Sequence, residues 1–441
     1  MSDEITLFEE FVSPLIKLNT VAVNKEECEM AANYVWELFI KNNFDSEVII
    51  TEEGNPVVIA KINGETDKYL LFYDHYDVQP AEPIDEWNTP PFELTVKDGK
   101  YIARGIADNK GDLVSRIIAV RSYIEENGEL PIGIKFVVEG EEEQGSMHLK
   151  DALMQKRDFF KDVIGVIWEF GHYTKDEKIN LILGLKGLLY MILKKKVIDH
   201  DAHSSLAVVL PSAVWEMIAF LHNMKEKGLR ELPEFNFGII DAKKVIEGIE
   251  KANYTVYWDP KTLKEEYGIT KFVNNMSDED AKIAYYQNPT FNIDGIVAGY
   301  TGPGAKTVLP KEIEVKIDFR LVPYQNPEAI AEAFIKVAKD AGVEAKIHSY
   351  TKPVFTEFDH PFTQKVANAI KNLGEKFYIS PWSPASGPMD LFVYDLDLPT
   401  IAGIGISYWG SRAHSPNENV RINDVIRTIK IIKGIIKSFE K

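Results

Sequence analysis

Apolar residues recur at helical spacing near the start of the chain, over residues 4–18 and again over 26–41. This periodicity predicts two amphipathic helices, with Pro14 as the expected break in the first. Three short β-rich runs follow at residues 47–51, 57–62 and 69–73. The last run is almost entirely apolar, which is typical of a strand that is buried on both faces.

Helix and strand patterns then alternate along the chain. Helices are predicted over residues 111–125 and 146–155, and strands over 132–138 and 163–168. Alternation at this spacing favours an α/β sheet that is covered by helices. A predicted helix at 359–373 and further alternation beyond it indicate that the same unit resumes near the C-terminus.

The middle of the chain has a different pattern. A helix is predicted at 211–227, and strands at 312–319 and 343–350 flank a helix at 327–341. This grouping predicts a small α+β domain that is inserted into the larger one. We therefore expect a large domain of residues 1–187 and 353–441, and an inserted domain of residues 188–352.

Composition narrows the classes of function. The 441 residues carry a formal net charge of −18, which argues against binding to nucleic acid or to an anionic membrane surface. Cys28 is the only cysteine, so no disulfide can form within the chain, which suits a reducing compartment. The acidic start lacks a signal-peptide pattern, and no apolar run is long enough to span a bilayer. We expect a cytoplasmic protein.

Candidate chemistry lies where predicted strands end. His75 and Asp77 follow the apolar run at 69–73, and strand alternation places both side chains on one face. A histidine that binds a metal usually needs a second group to orient its ring, and Asp77 is placed to be that group. Taken alone, this motif is common and more often structural.

Two further segments carry carboxylates. Asp108 lies between Gly105 and Gly111 on a tight loop, where it is either a site residue or the N-cap of the next helix. The run from Glu139 to Glu143 contains four glutamates in five residues. It is either a solvated acidic loop or a site in which one glutamate binds metal and its neighbour acts as general base on a water.

Two more candidates complete the set. Glu169 follows the strand at 163–168, and His414 lies near the C-terminus. Two histidines with several carboxylates at the ends of buried strands suit a binuclear site for Zn²⁺, Mn²⁺ or Co²⁺. The carboxyl ends of the strands are also where open α/β sheets bind ligands.

Four segments together resemble the motifs of one metallopeptidase family: residues 71–80, 104–111, 139–146 and 413–417. That family includes carnosinases, aminoacylase, acetylornithine deacetylase, succinyl-diaminopimelate desuccinylase and glutamate carboxypeptidase. The resemblance implies a zinc-peptidase-like α/β catalytic domain, with the inserted α+β domain as a lid that also forms the dimer. It further implies two divalent metal ions per subunit, with zinc expected and manganese or cobalt as alternatives.

The resemblance assigns roles to the matching residues. The implied ligands are a bridging Asp108, with His75 and Glu169 completing one metal position and Glu143 and His414 the other.

The same resemblance makes Glu142 the general base and proton shuttle and Asp77 the residue that orients His75. It also implies a cis peptide bond between Asp108 and Asn109.

The inserted domain contributes further implied residues. His203 matches a lid histidine that, in relatives, reaches into the partner's active site and polarises the scissile carbonyl, which implies a homodimer. Arg320 is expected to bind the substrate carboxylate, with a strand-end salt bridge as the alternative. Thr307, Ser386 and Gly387 lie in segments that would line the substrate site.

Two clues from the resemblance conflict and leave the substrate open. In the family, Glu at the position of Glu169 accompanies deacylases and carboxypeptidases, whereas the flanking sequence looks most like that of carnosinase-type dipeptidases. Asp74 stands where Gly is usual, and it could alter metal affinity or tighten packing. We expect a dipeptidase or carboxypeptidase that acts on small peptides. The alternatives are an N-acyl amino acid deacylase, of the acetylornithine or succinyl-diaminopimelate type, and a non-catalytic binder that has kept the fold.

Overall fold

The structure, a computed structural model, describes residues 2–440. Its longer helices are numbered in chain order: α1 Ser2–Ile16, α2 Lys25–Lys41, α3 Lys110–Asn127, α4 Leu149–Gln155, α5 Ala213–Asn223, α6 Ala242–Lys251, α7 Pro260–Glu266, α8 Asp278–Gln287, α9 Pro327–Asp340, α10 Pro361–Asn372 and α11 Ile422–Lys437.

Two sheets organise these helices. The first contains β1 Asp45–Ile49, β2 Val57–Ile62, β3 Tyr69–His75, β4 Gly133–Glu139, β5 Val163–Ile167 and the short strand Thr400–Ile401, and the second contains β6 Gly187–Lys196, β7 Thr290–Ala298, β8 Glu312–Leu321 and β9 Glu344–Thr351. Short strands form smaller sheets: Thr95–Lys97 with Lys100–Ile102 and Asn419–Arg421, and Phe377–Ser380 with Ile179–Ile182, His172–Tyr173 and Ser407–Tyr408.

The first sheet has the strand order β1-β2-β4-β3-β5 followed by Thr400–Ile401. The strands β4, β3 and β5 run parallel to one another, so their carboxyl ends meet at one edge. Helices cover both faces of this sheet, and the predicted α/β class is confirmed.

The alternation of side chains along β3 explains how the sheet is buried on both faces. Leu70 and Phe72 point into a core shared with α1, α2, α3, α10 and α11, whereas Leu71 and Tyr73 point into a second core on the side of α4. Burying each such side chain contributes about 1.5–3 kcal/mol. The strand predicted at 69–73 continues to His75 and carries that residue to the sheet edge.

The second sheet is antiparallel, in the order β7-β8-β6-β9. One face packs against α5 and α9 around a separate core that includes Met191, Phe319 and Phe334. The segment from α6 to α8 instead packs on the first core, through Ile246 and Ile249. The domain division at 188–352 therefore stays a prediction, and the helices of this middle segment were not foreseen.

Several predicted bounds need correction. Pro14 does not break the first helix, which continues to Ile16. Pro14 lacks one backbone N–H donor, and because it lies in the last turn only two residues of the helix follow it. The strand expected at 47–51 is β1, two residues earlier, and the helix expected at 211–227 ends as α5 before a π-helical turn, Met224–Gly228.

Candidate metal centre

Parallel strand ends bring the first candidate ligands together. His75 is the last residue of β3, and Glu169 follows the end of β5 on the neighbouring strand. Glu169 Oε2 lies 3.1 Å from His75 Nε2. Both side chains are buried, and this proximity follows directly from the parallel pairing of the two strands.

Asp108 lies between two histidines. Its Oδ1 is 3.1 Å from His75 Nε2, and its Oδ2 is 3.0 Å from His414 Nε2. Glu143 Oε2 lies 3.2 Å from the same nitrogen of His414. The Asp108–Asn109 peptide bond is cis, as the resemblance implied. Asp108 thus presents one carboxylate oxygen to each histidine.

The candidate ligand atoms form two clusters. In each cluster the atoms lie within 4.8 Å of one another: His75, Glu142 and Glu169 in the first, and Asp108, Glu143 and His414 in the second. The five predicted ligands and the predicted base are therefore neighbours, although the division of roles among them stays a prediction.

The acidic run is divided between structural and site residues. Glu139 accepts hydrogen bonds from the hydroxyls of Tyr73 and Ser146, at 2.5 and 2.8 Å. Glu141 accepts from the backbone nitrogen of Asn55 at 3.2 Å. These two carboxylates hold the loop in place, and only the next two glutamates face the candidate centre.

Asp77 connects the two halves of the centre. Its Oδ1 lies 3.3 Å from His75 Nδ1, and its two oxygens accept hydrogen bonds from the backbone nitrogens of Glu142 and Glu143, at 3.2 and 3.0 Å. Gln79 donates a further bond of 2.8 Å to Glu143 Oε2. One buried carboxylate thus fixes the ring of one histidine and the loop that carries both glutamates.

The electrostatics of these groups fit divalent cations. Burial raises the pKa of Glu142 to about 8 and that of Glu169 well above its usual value, and neighbouring carboxylates add to both shifts. Glu143 Oε1 is buried without a hydrogen-bond partner, and Glu169 Oε2 forms no hydrogen bond of ordinary geometry although His75 Nε2 lies 3.1 Å away. Buried carboxylates are costly unless positive charge offsets them, and imidazole with carboxylate is a donor set that suits zinc.

Asp74 takes no part in either cluster. Strand alternation turns it to the face opposite His75, where its Oδ1 accepts a 2.9 Å bond from Arg116 Nη1. Both side chains are buried. The departure from the usual Gly therefore adds an ion pair behind the centre and not an additional ligand.

Glu418 directly follows the motif of residues 413–417, and no role was predicted for it. Its buried carboxylate accepts hydrogen bonds from Arg104 Nη1 at 2.6 Å and from the backbone nitrogens of Gly105, Ala107 and Asp108 at 2.9, 2.8 and 3.1 Å. It joins the C-terminal motif to the Asp108 loop. In the sequence, its position next to that motif was the only indication that Glu418 belongs to the site.

Predicted substrate residues converge from the second sheet and a late loop. Arg320 Nη1 donates to Ser386 Oγ at 3.1 Å, and Arg320 Nε lies 3.4 Å from Asp318 Oδ1, so the alternative strand-end salt bridge is also present. A Cβ on Gly387 would lie 2.6 Å from the Trp168 ring and 3.3 Å from Glu142 Oε1. The loop that holds the serine therefore passes directly beside the predicted base.

Two predicted residues lie elsewhere. His203 is exposed, its Nδ1 lies 2.8 Å from Ser205 Oγ, and its backbone pairs with Val308, next to Thr307. Within residues 2–440, no side chain of the two metal clusters forms a hydrogen bond with His203.

Every helix in the described range is too short or too polar to cross a lipid bilayer. The cytoplasmic location stays a prediction.

Comparisons with known proteins give consistent matches. The model of the family described as Peptidase family M20/M25/M40 matches residues 71–438. A Beta-Ala-His dipeptidase of Mus musculus is 30% identical over 400 residues, which cover 88% of this chain and 80% of that protein. A Cys-Gly metallodipeptidase of Saccharomyces cerevisiae is 25% identical over 405 residues, which cover 88% and 82%. The solved structure of an M20 family metallo-carboxypeptidase from Sulfolobus solfataricus covers 100% of both chains, with a TM-score of 0.88 and 32% identity.

Proposed function

The chain belongs to peptidase family M20/M25/M40 and is a metal-dependent hydrolase, and we propose on that premise that it cleaves dipeptides that carry a free C-terminal carboxylate. The family and enzyme class expected from the sequence are confirmed. The observation that carries the proposal is the position of Asp108 between His75 and His414, beside Glu142. The names of the two dipeptidase relatives support dipeptides as the substrate class.

The metal ligands are proposed as the sequence predicted them. Asp108 would contribute to both ion positions, with His75 and Glu169 holding one ion and Glu143 and His414 the other; zinc is the ion that this donor set favours. When bound, two such ions polarise the scissile carbonyl and lower the pKa of a water molecule.

Glu142 is the proposed proton shuttle. Its carboxylate takes one proton from the attacking water, whose oxygen bonds to the carbonyl carbon. It then returns that proton to the nitrogen as the C–N bond breaks, so one water is consumed and an acid and an amine are released. In the metal-free protein, burial raises the pKa of Glu142 to about 8. Two bound cations would lower this pKa and favour the carboxylate form, which accepts a proton from water. Asp77 Oδ1 accepts a hydrogen bond from the backbone nitrogen of Glu142 and so keeps this residue in place.

Arg320 and the loop of Ser386 and Gly387 form the proposed carboxylate site. The guanidinium fork suits a bidentate carboxylate, and it already contacts Ser386 within hydrogen-bond distance. Gly387, which has no side chain, lets this loop pack against the Trp168 ring and pass close to Glu142. A substrate gripped at its carboxylate by Arg320 would place its amide next to the base.

The proposed active form is a homodimer in which His203 and Thr307 serve the partner's site. β7 is an edge strand of the second sheet, and its exposed Ile296 and Val297 leave an apolar edge. Exposed Trp215 on α5 extends the apolar surface of the same unit. A second copy of this chain is the occupant that would also give His203 a role, since no hydrogen bond links His203 to the metal clusters of its own chain within residues 2–440.

A substrate panel tests the proposal. Zinc-loaded protein is assayed on Xaa-Xaa dipeptides and on N-acetyl and N-succinyl amino acids of matched side chains, with an EDTA-treated control. Dipeptide cleavage that EDTA abolishes supports the proposal. Cleavage of only the acylated amino acids would favour the deacylase alternative, which Glu169 suggested. No cleavage of either class would favour the non-catalytic binder.

A further inference from the structure

A buried ion pair lies behind the metal centre and has no part in the proposed chemistry. Asp74 and Arg116 are both buried, with Oδ1 and Nη1 2.9 Å apart. Asp74 directly precedes His75 in β3, and its side chain points to the face of the sheet that α3 covers. Arg116 reaches it from the second turn of that helix. Burying two charges is costly, so this pair calls for a physical explanation.

The contacts of Arg116 extend beyond Asp74. Nη1 also donates to the backbone oxygen of Tyr73 at 2.8 Å, and Nη2 donates to those of Trp168 at 3.1 Å and Ile404 at 3.2 Å. Trp168 is the residue before Glu169. One guanidinium therefore holds the carboxyl ends of β3 and β5 at the residues that precede His75 and Glu169.

The planar guanidinium is suited to this task. Its five donors have fixed directions, so a change in the spacing of the two strand ends would break at least one bond. The ring of Phe72 lies 5.4 Å from its carbon and limits its movement. Asp74 supplies the charge that allows Arg116 to be buried there, because removing one partner of a buried pair leaves the other uncompensated.

The contacts of the pair reach the residues next to only one of the two metal positions. Glu143 is held by Asp77 and Gln79, and the loops of Asp108 and His414 are joined through Glu418. None of these contacts involves Asp74 or Arg116. We propose that the Asp74–Arg116 pair is a positioning device that holds His75 and Glu169 at ligand separation and so sets the affinity of that metal position alone. The inference rests on the proposed two-metal site.

The test measures metal binding at each position separately. His414→Ala isolates the position of His75 and Glu169, and His75→Ala isolates the other. Asp74→Asn and Arg116→Lys are then introduced into each background, and Co²⁺ is titrated while its visible absorption is recorded. Leu70→Ala is the matched control, since it removes a buried side chain from the same face of β3 without touching the pair.

The expected result is selective. Either substitution weakens Co²⁺ binding about 10- to 100-fold in the His414→Ala background, the range for groups that orient ligands. In the His75→Ala background, and with Leu70→Ala in both, the dissociation constant stays within about threefold. Equal losses in both backgrounds would mean that the pair is only structural, and no loss in the first would overturn the proposal. If the unsubstituted chain does not bind two Co²⁺ ions, the two-metal function itself fails.

Discussion

Glu418 accepts a hydrogen bond of 3.1 Å from the backbone nitrogen of Asp108, although 310 positions separate the two residues. The same carboxylate pairs with Arg104 at 2.6 Å. The conformation of the Asp108 loop therefore depends on a residue that follows the C-terminal histidine motif. A single buried carboxylate connects two of the four segments on which the family resemblance rests.

Replacing Glu418 with Gln should destabilise the fold. The substitution leaves the buried charge of Arg104 unpaired, and breaking such a pair costs about 3–5 kcal/mol. Urea unfolding of metal-free protein measures the loss. Glu125→Gln is the control, since Glu125 forms an exposed pair with Arg121 that is worth about 0.5 kcal/mol or less. Similar losses for both variants would contradict the role given to Glu418.

A side chain at position 387 should impair turnover. The Cβ of Gly387→Ala would lie 2.6 Å from Trp168 and 3.3 Å from Glu142 Oε1, so the loop or the base must move. A displacement near 1 Å costs on the order of 100-fold in kcat/KM. Gly248→Ala, where a Cβ would meet nothing within 4 Å, should leave steady-state dipeptide hydrolysis unchanged. Unchanged kinetics for Gly387→Ala would exclude the proposed placement of the substrate.

Stability should depend on pH through His172. Burial lowers the pKa of His172 below its usual value of 6.5. The unfolded chain then takes up a proton before the folded chain does, so stability falls as pH decreases below 6.5, by at most about 1.4 kcal/mol per pH unit.

Urea unfolding in EDTA at pH 7.5 and 5.5 measures this effect. His172→Gln should lose less stability between the two pH values than the unsubstituted chain. His222→Gln is the control, because His222 is exposed. This variant should lose as much stability between the two pH values as the unsubstituted chain. If His172→Gln kept the full pH dependence, another group would have to be responsible.

Mixed dimers should recover activity if His203 acts across subunits. His203→Ala and Glu142→Ala are each expected to be inactive, but a mixed dimer contains one site with both residues. Random pairing makes half of the dimers mixed, so activity should return to about one quarter of the unsubstituted level after exchange. Light scattering of each protein before mixing tests whether it is a dimer. No recovery after verified exchange would mean that His203 serves its own subunit or none.

Sequence patterns predicted the helices and strands that are determined by residues close to one another along the chain. The strand at 57–62 and the helix at 26–41 agree with β2 and α2 within one residue. His75 and Glu169 could be found because each lies at or just beyond the end of a nearly all-apolar strand. Asp108 and His414 lie on loops, so sequence pattern marked them only as candidates and their roles as ligands came from the family resemblance.

Other features depend on contacts that no local pattern encodes. In the sequence, Arg116 is one charged residue within a predicted helix. It is buried because the ends of β3 and β5 and the loop at Ile404 meet around its side chain. The helices α6 and α8 fall within the predicted insertion but pack on the first core. Their amphipathic faces alone do not reveal which of the two cores they cover.

The most direct test of the account compares dipeptide hydrolysis by zinc-loaded protein with that by zinc-loaded Glu142→Gln. Because the base is lost while the proposed ligands remain, kcat should fall about 10²- to 10⁴-fold, with two zinc ions per chain retained by both proteins. Hydrolysis by Glu142→Gln at the full rate, or hydrolysis that persists after EDTA has removed the zinc, would contradict the account.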